Sequence, residues 1–289
     1  MFNKFDYVVP TSWADACSFM ASHPTAMIYA GGTDILVRCR EGRLLPSHLV
    51  DIKGLPGATA IAQAEDGSIV IGAATPLNAI ERFLKGKAGY EALVQAAHVV
   101  GSWQIRNRAS VGGNICNASP AADTAPALLV LEATLRLVGP SDERILPVGE
   151  FFLAPGKTAL LPGEILRSIV LPAPAEPTVS IYLKAARTKA VDLAQVGVAL
   201  LMLPDKNVRV ALGAVAPVPL LAWSGRQSAP PANWTTEETE RLVSVVEQMV
   251  APITDLRATA DYRRHMVGVL LRRAVGQATL LHQERGEGR

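Results

Sequence analysis

Cysteine is scarce in this chain of 289 residues: only Cys17, Cys39 and Cys116 occur. Three thiols at wide spacing make no disulfide framework. They also fall short of the four thiolates that hold an ordinary iron–sulfur cluster. His23, His48, His98, His265 and His282 are scattered, with no His-x3-His pair, so no zinc or iron site made by this chain alone is expected. Aromatic residues make up 5%, too few for a platform that stacks single-stranded nucleic acid. Charge of one sign is lacking too: 28 basic side chains stand against 26 acidic ones, a formal net charge of +2. A nucleic-acid binder would show a basic stripe, and none is present. The longest apolar run, residues 196–204, is about half of what a membrane span needs. The first residues lack the apolar core of a signal peptide. The expectation is a cytoplasmic protein with reduced thiols that binds no nucleic acid and spans no membrane.

Apolar residues account for 49% of the chain, enough for a sizeable core, and the length suggests about two domains at roughly 150 residues each. Residues 11–21 read as a helix, residues 27–30 as a short strand ending at Gly31-Gly32, and residues 49–52 and 68–73 as further strands. Thr75-Pro76 reads as a capping hydroxyl with Pro at the first helical position, followed by an apolar face of Leu77, Ile80, Phe83 and Leu84. Residues 90–100 and 125–133 read as helices, and 133–138 alternates as a half-buried strand. Three prolines within residues 172–177 suggest a linker. Strands follow at 180–184, 195–203 and 208–215. A proline-rich stretch, 216–232, leads to a helix opened by the capping pattern Thr235-Thr-Glu-Glu238 and to a second helix over 261–282. Strands followed by helices indicate an α+β segregation, and residues 284–289 read as a frayed tail.

Two segments place Gly-Gly beside small polar residues. The first is Tyr29-Ala30-Gly31-Gly32-Thr33-Asp34. The second runs from Ile105 through Ser110-Val111-Gly112-Gly113-Asn114 to Asp123. Glycines let successive N–H groups turn to one side and let a ligand approach the main chain. Such concavities bind phosphate without a lysine clamp, and two facing each other would hold a pyrophosphate. Either pair alone also reads as an ordinary turn. The density of Ser110, Asn114, Asn117 and Ser119 around the second pair points to a polar ligand. No Gly-x-Gly-x-x-Gly and no Gly-x4-Gly-Lys-Ser/Thr is present, so neither a Rossmann site nor a P-loop is supported.

On these stretches the sequence resembles the FAD-binding medium subunit of molybdenum hydroxylases, the family of xanthine, carbon monoxide, nicotine and nicotinate dehydrogenases. The resemblance rests on residues 30–34, 104–123 and 162–166, Lys184 with Arg187, Asp192-Leu-Ala, and Tyr262-Arg-Arg. It implies an α+β architecture: a two-lobed FAD-binding domain of the vanillyl-alcohol-oxidase type, then a smaller C-terminal domain of antiparallel sheet plus helices. The expected divisions are 1–175 (lobes about 1–57 and 58–175), 178–283, and a tail at 284–289. It further implies that Ala30, Gly31, Gly32, Thr33 and Asp34, with Ser110, Val111, Gly112, Gly113 and Asn114, cradle the FAD pyrophosphate. Asp123 would accept hydrogen bonds from FAD hydroxyls, Leu166 would lie against the flavin ring, and Lys184 would sit at its polar edge. A cation there suits a ring that gains negative charge on reduction. Some relatives carry a stacking aromatic before the second motif; Val100 and Trp103 are the nearby residues here.

Plainer readings stand beside these. Asp34 would brace its loop by accepting backbone N–H bonds, and Asp123 would cap the following helix. Leu166 alone reads as core and Lys184 alone as a solvated strand residue. Arg106 and Arg108 would meet FAD phosphate, a partner chain or water. Arg263, Arg264, Arg272 and Arg273 read as a solvated helix face, and Cys116 as a small packed residue. No nucleophile or general base is apparent. The implied function is an electron-transfer subunit. A small subunit with two [2Fe-2S] clusters would supply electrons, a large molybdopterin subunit would hydroxylate the substrate, and the FAD would feed NAD, a quinone, a cytochrome or O2. A dimer of heterotrimers is the implied assembly. Residues 154–158 resemble purine and N-heterocycle hydroxylase subunits. A free-standing FAD oxidase or reductase and a non-redox scaffold remain the alternatives.

Overall fold

The computed structural model describes residues 4–188, 191–225 and 233–287. The N-terminal part alternates strands β1 (Asp6–Val8), β2 (Met27–Tyr29) and β3 (His48–Asp51) with helices α1 (Trp13–Ser22) and α2 (Ile35–Arg40). The strands form a parallel sheet with β3 in the centre. Parallel neighbours need crossovers, and α1 and α2 supply them. Ser12 starts α1 by accepting from Asp15 N at 3.1 Å, and Trp13, Ala16 and Cys17 turn inward.

A second, antiparallel sheet follows in the order β4-β5-β10-β6-β7. Its strands are β4 (Ile61–Gln63), β5 (Ile69–Gly72), β6 (Thr134–Val138), β7 (Glu143–Pro147) and β10 (Ile165–Leu171). Five helices lie between β5 and β6: α3 (Leu77–Leu84), α4 (Glu91–His98), α5 (Trp103–Arg106), α6 (Val111–Cys116) and α7 (Thr124–Val130). A small hairpin, β8 (Phe152–Ala154) with β9 (Lys157–Thr158), precedes β10. The cap expected at Thr75 is displaced by one residue. Thr75 Oγ1 donates to Ala60 O, and Pro76 occupies the cap position.

The C-terminal part is a four-stranded antiparallel meander, β11 (Val179–Ala185), β12 (Val196–Met202), β13 (Val208–Gly213) and β14 (Leu220–Trp223), then α8 (Thr236–Met249) and α9 (Ala260–Glu287). Tyr182, Ala199, Leu201 and Ala211 on one face pack into the core around α4 and α7. Ile181, Val198, Leu200 and Val210 on the other pack under α8 and α9. With both faces covered, β12 is buried throughout, which accounts for the apolar run at 196–204. Thr235 Oγ1 accepts from Glu238 N at 3.2 Å, as its pattern predicts. β14 falls inside the proline-rich stretch 216–232, whose residues 226–232 lie outside the described residues.

Two expectations for α9 are corrected. The helix does not fray at 284; it continues to Glu287, because Arg285 donates to Thr178 O at 2.6 Å and to Glu91 Oε1 at 2.5 Å. Residues 288 and 289 are outside the described part. Arg263 does not belong to a solvated face. It is 2% exposed and donates to Gln195 O (2.7 Å), Ala214 O (3.1 Å) and Asp255 Oδ1 (2.7 Å), tying α9 to the start of β12 and the end of β13. Arg264 and Arg272 do reach solvent, the latter paired with Glu240.

Candidate functional site

The two glycine segments meet. A Cβ built on Gly31 would lie 2.0 Å from Arg108 O and 3.0 Å from Ala109 Cα, so only glycine lets the loop after β2 seat against the strand-like approach to α6. Gly32 takes φ +77°, and a Cβ there would strike the Tyr29 ring at 2.7 Å. That ring is held in turn by Lys53 Nζ, 4.1 Å above its centroid, while Lys53 bonds Asp51 Oδ1 at 2.6 Å and Tyr7 Oη donates to Asp51 Oδ2.

The segments differ in what they offer. Among the described residues, no backbone or side-chain acceptor takes the amide N–H of Gly31, Gly32, Thr33 or Asp34. Four successive open donors at the entry to a helix make an anion-binding concavity. Ala30, just before them, is buried in the N-terminal core. In the second segment the donors are already used. Val111 N bonds Thr75 O (3.2 Å), Gly112 N bonds Ala73 O (2.9 Å), Asn114 N bonds Ser110 O (2.9 Å), and Gly113 N bonds Ser110 Oγ (3.1 Å). The picture of two facing amide concavities is therefore corrected. Gly112 provides close packing, since a Cβ would meet Ala73 O at 2.5 Å, whereas a Cβ on Gly113 would meet only Ser110 Oγ. The second segment contributes a surface free of side chain rather than donors.

The polar density around it is also satisfied within the protein. Asn114 Oδ1 accepts from Thr124 Oγ1 (2.6 Å), Asn117 Oδ1 from Arg38 Nη1 (3.3 Å), and Ser119 Oγ from Ala121 N (3.2 Å). The Arg38–Asn117 bond joins α2 to the second segment, a link that sequence spacing did not suggest. Arg106 is buried and donates to Asn78 Oδ1, Val100 O and Gly101 O, so it braces the approach to α6 and is not available to a phosphate. Arg108 is exposed, as is Trp103.

Asp34 is exposed at the cap position of α2 and makes no capping bond, so its role as a loop brace is not realised. Asp123 likewise sits at the cap position of α7 without capping it. Its carboxylate turns to β11 instead: Oδ1 accepts from Tyr182 Oη at 2.7 Å and Oδ2 from Lys184 Nζ at 2.9 Å. Lys184 is not solvated: its side chain is only 9% exposed, and its ammonium also donates to Asp192 O (2.8 Å) and Val99 O (3.3 Å). Burial pushes the Asp123 carboxyl above its ordinary range, opposed by the Lys184 charge and the bonds from both donors. Burial beside that carboxylate holds the Tyr182 phenol well above its usual value. Tyr182 escaped the sequence reading, yet residues 182 and 184 share a face of β11. Leu166 is enclosed in the core opposite Leu137, at a bulge in β10 before Ser168. A cavity of about 370 Å³ lies beside the cluster, lined by Glu81, Val94, Gln95, His98, Val99, Tyr182 and Lys184.

Chemically, the arrangement presents open amide donors at one point and a buried carboxylate–ammonium pair at another. Burial pushes the thiols of Cys17 and Cys116 up to about 11 and about 12, which leaves them protonated and unreactive at neutral pH. Among the described residues no three His, Cys, Asp or Glu side chains cluster as metal ligands, and no helix is long and apolar enough to cross a membrane.

Comparison with known proteins covers nearly the whole chain. Residues 3–174 match the family described as FAD binding domain in molybdopterin dehydrogenase, and residues 181–278 match the CO dehydrogenase flavoprotein C-terminal domain. The xanthine dehydrogenase FAD-binding subunit of Escherichia coli O157:H7 is 33% identical over 283 residues, 96% of this chain and 97% of that protein. The carbon monoxide dehydrogenase medium chain of Hydrogenophaga pseudoflava is 31% identical over 280 residues, covering 95% and 97%. The solved carbon monoxide dehydrogenase from Hydrogenophaga pseudoflava superposes with a TM-score of 0.91 at 29% identity, over 98% of this chain and 99% of that one. Quinoline 2-oxidoreductase from Pseudomonas putida 86 shares the fold, with a TM-score of 0.88 at 22% identity.

Proposed function

The chain belongs to the FAD-binding medium-subunit family of the xanthine and CO dehydrogenase-type molybdenum hydroxylases, and from that premise we propose that it binds FAD between its two glycine segments and relays electrons through it. The observation that carries the site is the run of four open amides at residues 31–34, seated directly against residues 108–109. A pyrophosphate is the part of FAD that needs such donors, and helix-entry amides supply them without a basic side chain.

Bound there, FAD supplies the redox chemistry that the chain's own side chains lack. The protein's residues hold and tune it. Gly31, Gly32, Thr33 and Asp34 donate main-chain hydrogen bonds, with Ala30 anchoring their loop in the core. Gly113 leaves room for close approach, framed by Ser110, Val111, Gly112 and Asn114. By the family resemblance Asp123 would accept from hydroxyls of the cofactor's linker, Leu166 would back the apolar floor from the core, and Lys184 would place positive charge near the ring's polar edge.

In this reading residues 1–175 form the FAD-binding domain, with lobes at 1–57 and 58–175, and residues 178–283 the C-terminal domain. Electrons arrive from [2Fe-2S] clusters of a small subunit and leave to an external acceptor, while a large molybdopterin subunit hydroxylates an N-heterocycle. The assembly is a dimer of heterotrimers in the cytoplasm. The test is the FAD content of the purified full chain and of Gly113→Asp. The wild type carries FAD and the variant loses most of it, because a carboxylate then stands where the pyrophosphate lies. Equal FAD in both, by extraction and visible absorbance, refutes the site.

A further inference from the structure

Of the groups around the carboxylate–ammonium pair, Tyr182 is one that neither the glycine motifs nor the family match singles out. Its ring is buried on the face of β11 turned toward α4 and α7, and its hydroxyl is the donor on Asp123 Oδ1. The neighbouring strand is shaped for it: a Cβ on Gly197 would lie 2.6 Å from Tyr182 Oη. Gln95 Oε1 accepts from Tyr182 N at 2.7 Å and fixes the strand against α4. Each carboxylate oxygen of Asp123 thus has a single side-chain donor, the phenol on one and Lys184 on the other.

We propose that Tyr182 is a positioning residue of the flavin site: its hydroxyl keeps Asp123 ionised as the partner of Lys184, and so fixes the charge that the site presents to FAD. The inference rests on the flavin reading above. Its logic is local. A buried carboxylate oxygen stripped of its donor loses stabilisation of its charged form, and a carboxyl already raised by burial answers by holding its proton to higher pH. Protonated Asp123 leaves Lys184 as an uncompensated cation, and a more positive site favours the reduced, more negative flavin. The other charged or titratable side chains nearby are Glu81, His98, Arg187 and Asp192; Arg187 pairs with Asp192 at 3.6 Å, and Glu81 Oε2 is buried with no hydrogen-bond partner. Glu81 on α3 faces His98 on α4 at 2.9 Å, and Asp192 accepts from Arg187 N and Leu193 N. Burial and a single charged partner therefore set the state of Asp123, with Tyr182 as its neutral donor.

The experiment measures the reduction potential of the flavin against pH in the FAD-loaded full chain, for the wild type, Tyr182→Phe and Gly197→Ala. Tyr182→Phe removes the hydroxyl and keeps the ring. Gly197→Ala keeps the phenol and pushes its oxygen aside. Both variants should retain FAD, and the break that Asp123 sets in the curve should move upward by about one pH unit, roughly a tenfold gain in proton affinity. The potential should be more positive than that of the wild type between the old break and the new one. Should Tyr182→Phe fail to fold, Gly197→Ala carries the same test. A wild-type chain that takes up no FAD refutes the flavin reading itself. Loaded variants whose curves superimpose on that of the wild type overturn the role of Tyr182 while leaving the FAD site intact.

Discussion

Replacing Gly31 by alanine tests whether the first glycine segment is a packing joint as well as a donor site. The added methyl would lie 2.0 Å from Arg108 O and 2.7 Å from its carbon, where ordinary contact begins at 3.4 Å. Both obstacles are main chain, so no rotamer change relieves them, and the loop after β2 must retreat from the approach to α6 by more than an ångström. Overpacking of this kind costs about 1–3 kcal/mol. At roughly 2–4 °C per kcal/mol for a chain of this size class, the FAD-free protein should melt about 2–12 °C below the wild type. The same retreat moves the amides of residues 31–34 away from residues 110–114, so affinity for FAD should fall at least tenfold, or about 1.4 kcal/mol. Thermal melts of stripped and reloaded full-length protein separate the two effects. The stripped variant shows the packing loss alone, and the rise in melting temperature on adding FAD shrinks with affinity. A stripped Gly31→Ala protein that melts with the wild type and regains the same stabilisation from FAD would falsify the claim that the two segments must touch.

Lys184→Met breaks a buried pair and should cost about 3–5 kcal/mol near neutral pH. Because the folded Asp123 carboxyl lies above its unfolded value near 3.8, its stabilising contribution is complete below that value and is lost as pH rises through the folded one. Removing the ammonium moves that loss upward, so the variant's deficit in urea unfolding should shrink between about pH 8 and about pH 5; an equal deficit at both refutes the pairing. Asp255 behaves oppositely. Burial would raise it, but bonds from Arg257 N, the Arg257 guanidinium, Ala258 N and Arg263 outweigh burial and hold it far below its ordinary range. Its stability is present above about 3.8 and lost as pH falls further. Asp255→Asn should therefore remove about 3 kcal/mol at neutral pH by stranding Arg263 and should flatten the acid limb of the stability curve; an unchanged limb counts against it.

The elements legible in the sequence are those with an apolar run, an alternation or an explicit cap, including the short strands β2, β3 and β5. The apolar run around β12, the alternation of β6, and the Thr235 cap of α8 all carry their own local signal. β1, β4, β8 and β9 are only two or three residues long, and β14 sits inside the proline-rich stretch; none shows in the sequence, whereas the comparably short β2 and β3 show in their apolar residues beside a glycine turn. Arg263 and Arg106 were misplaced for a different reason. A guanidinium is buried only when carbonyls from distant segments converge on it, and residues such as Gln195 and Ala214 are brought to Arg263 by the fold alone.

The glycine pairs show the same limit at the site. In sequence they look alike, and the same physical argument fits both. The fold separates them through their neighbours: Thr75 O, Ala73 O and Ser110 consume the donors of residues 111–114, while none of the described residues does so for residues 31–34. In the proposed FAD site one pair would donate and the other would yield space. The consequence is a difference in how each tolerates change. A side chain at Gly113 meets little protein and should harm only the ligand, whereas one at Gly31 meets the main chain of the other segment and harms the fold first. Measured separately in FAD-free and FAD-loaded protein, substitutions at the two positions should fall into those two classes, and the identity of the glycine, not its motif, decides which.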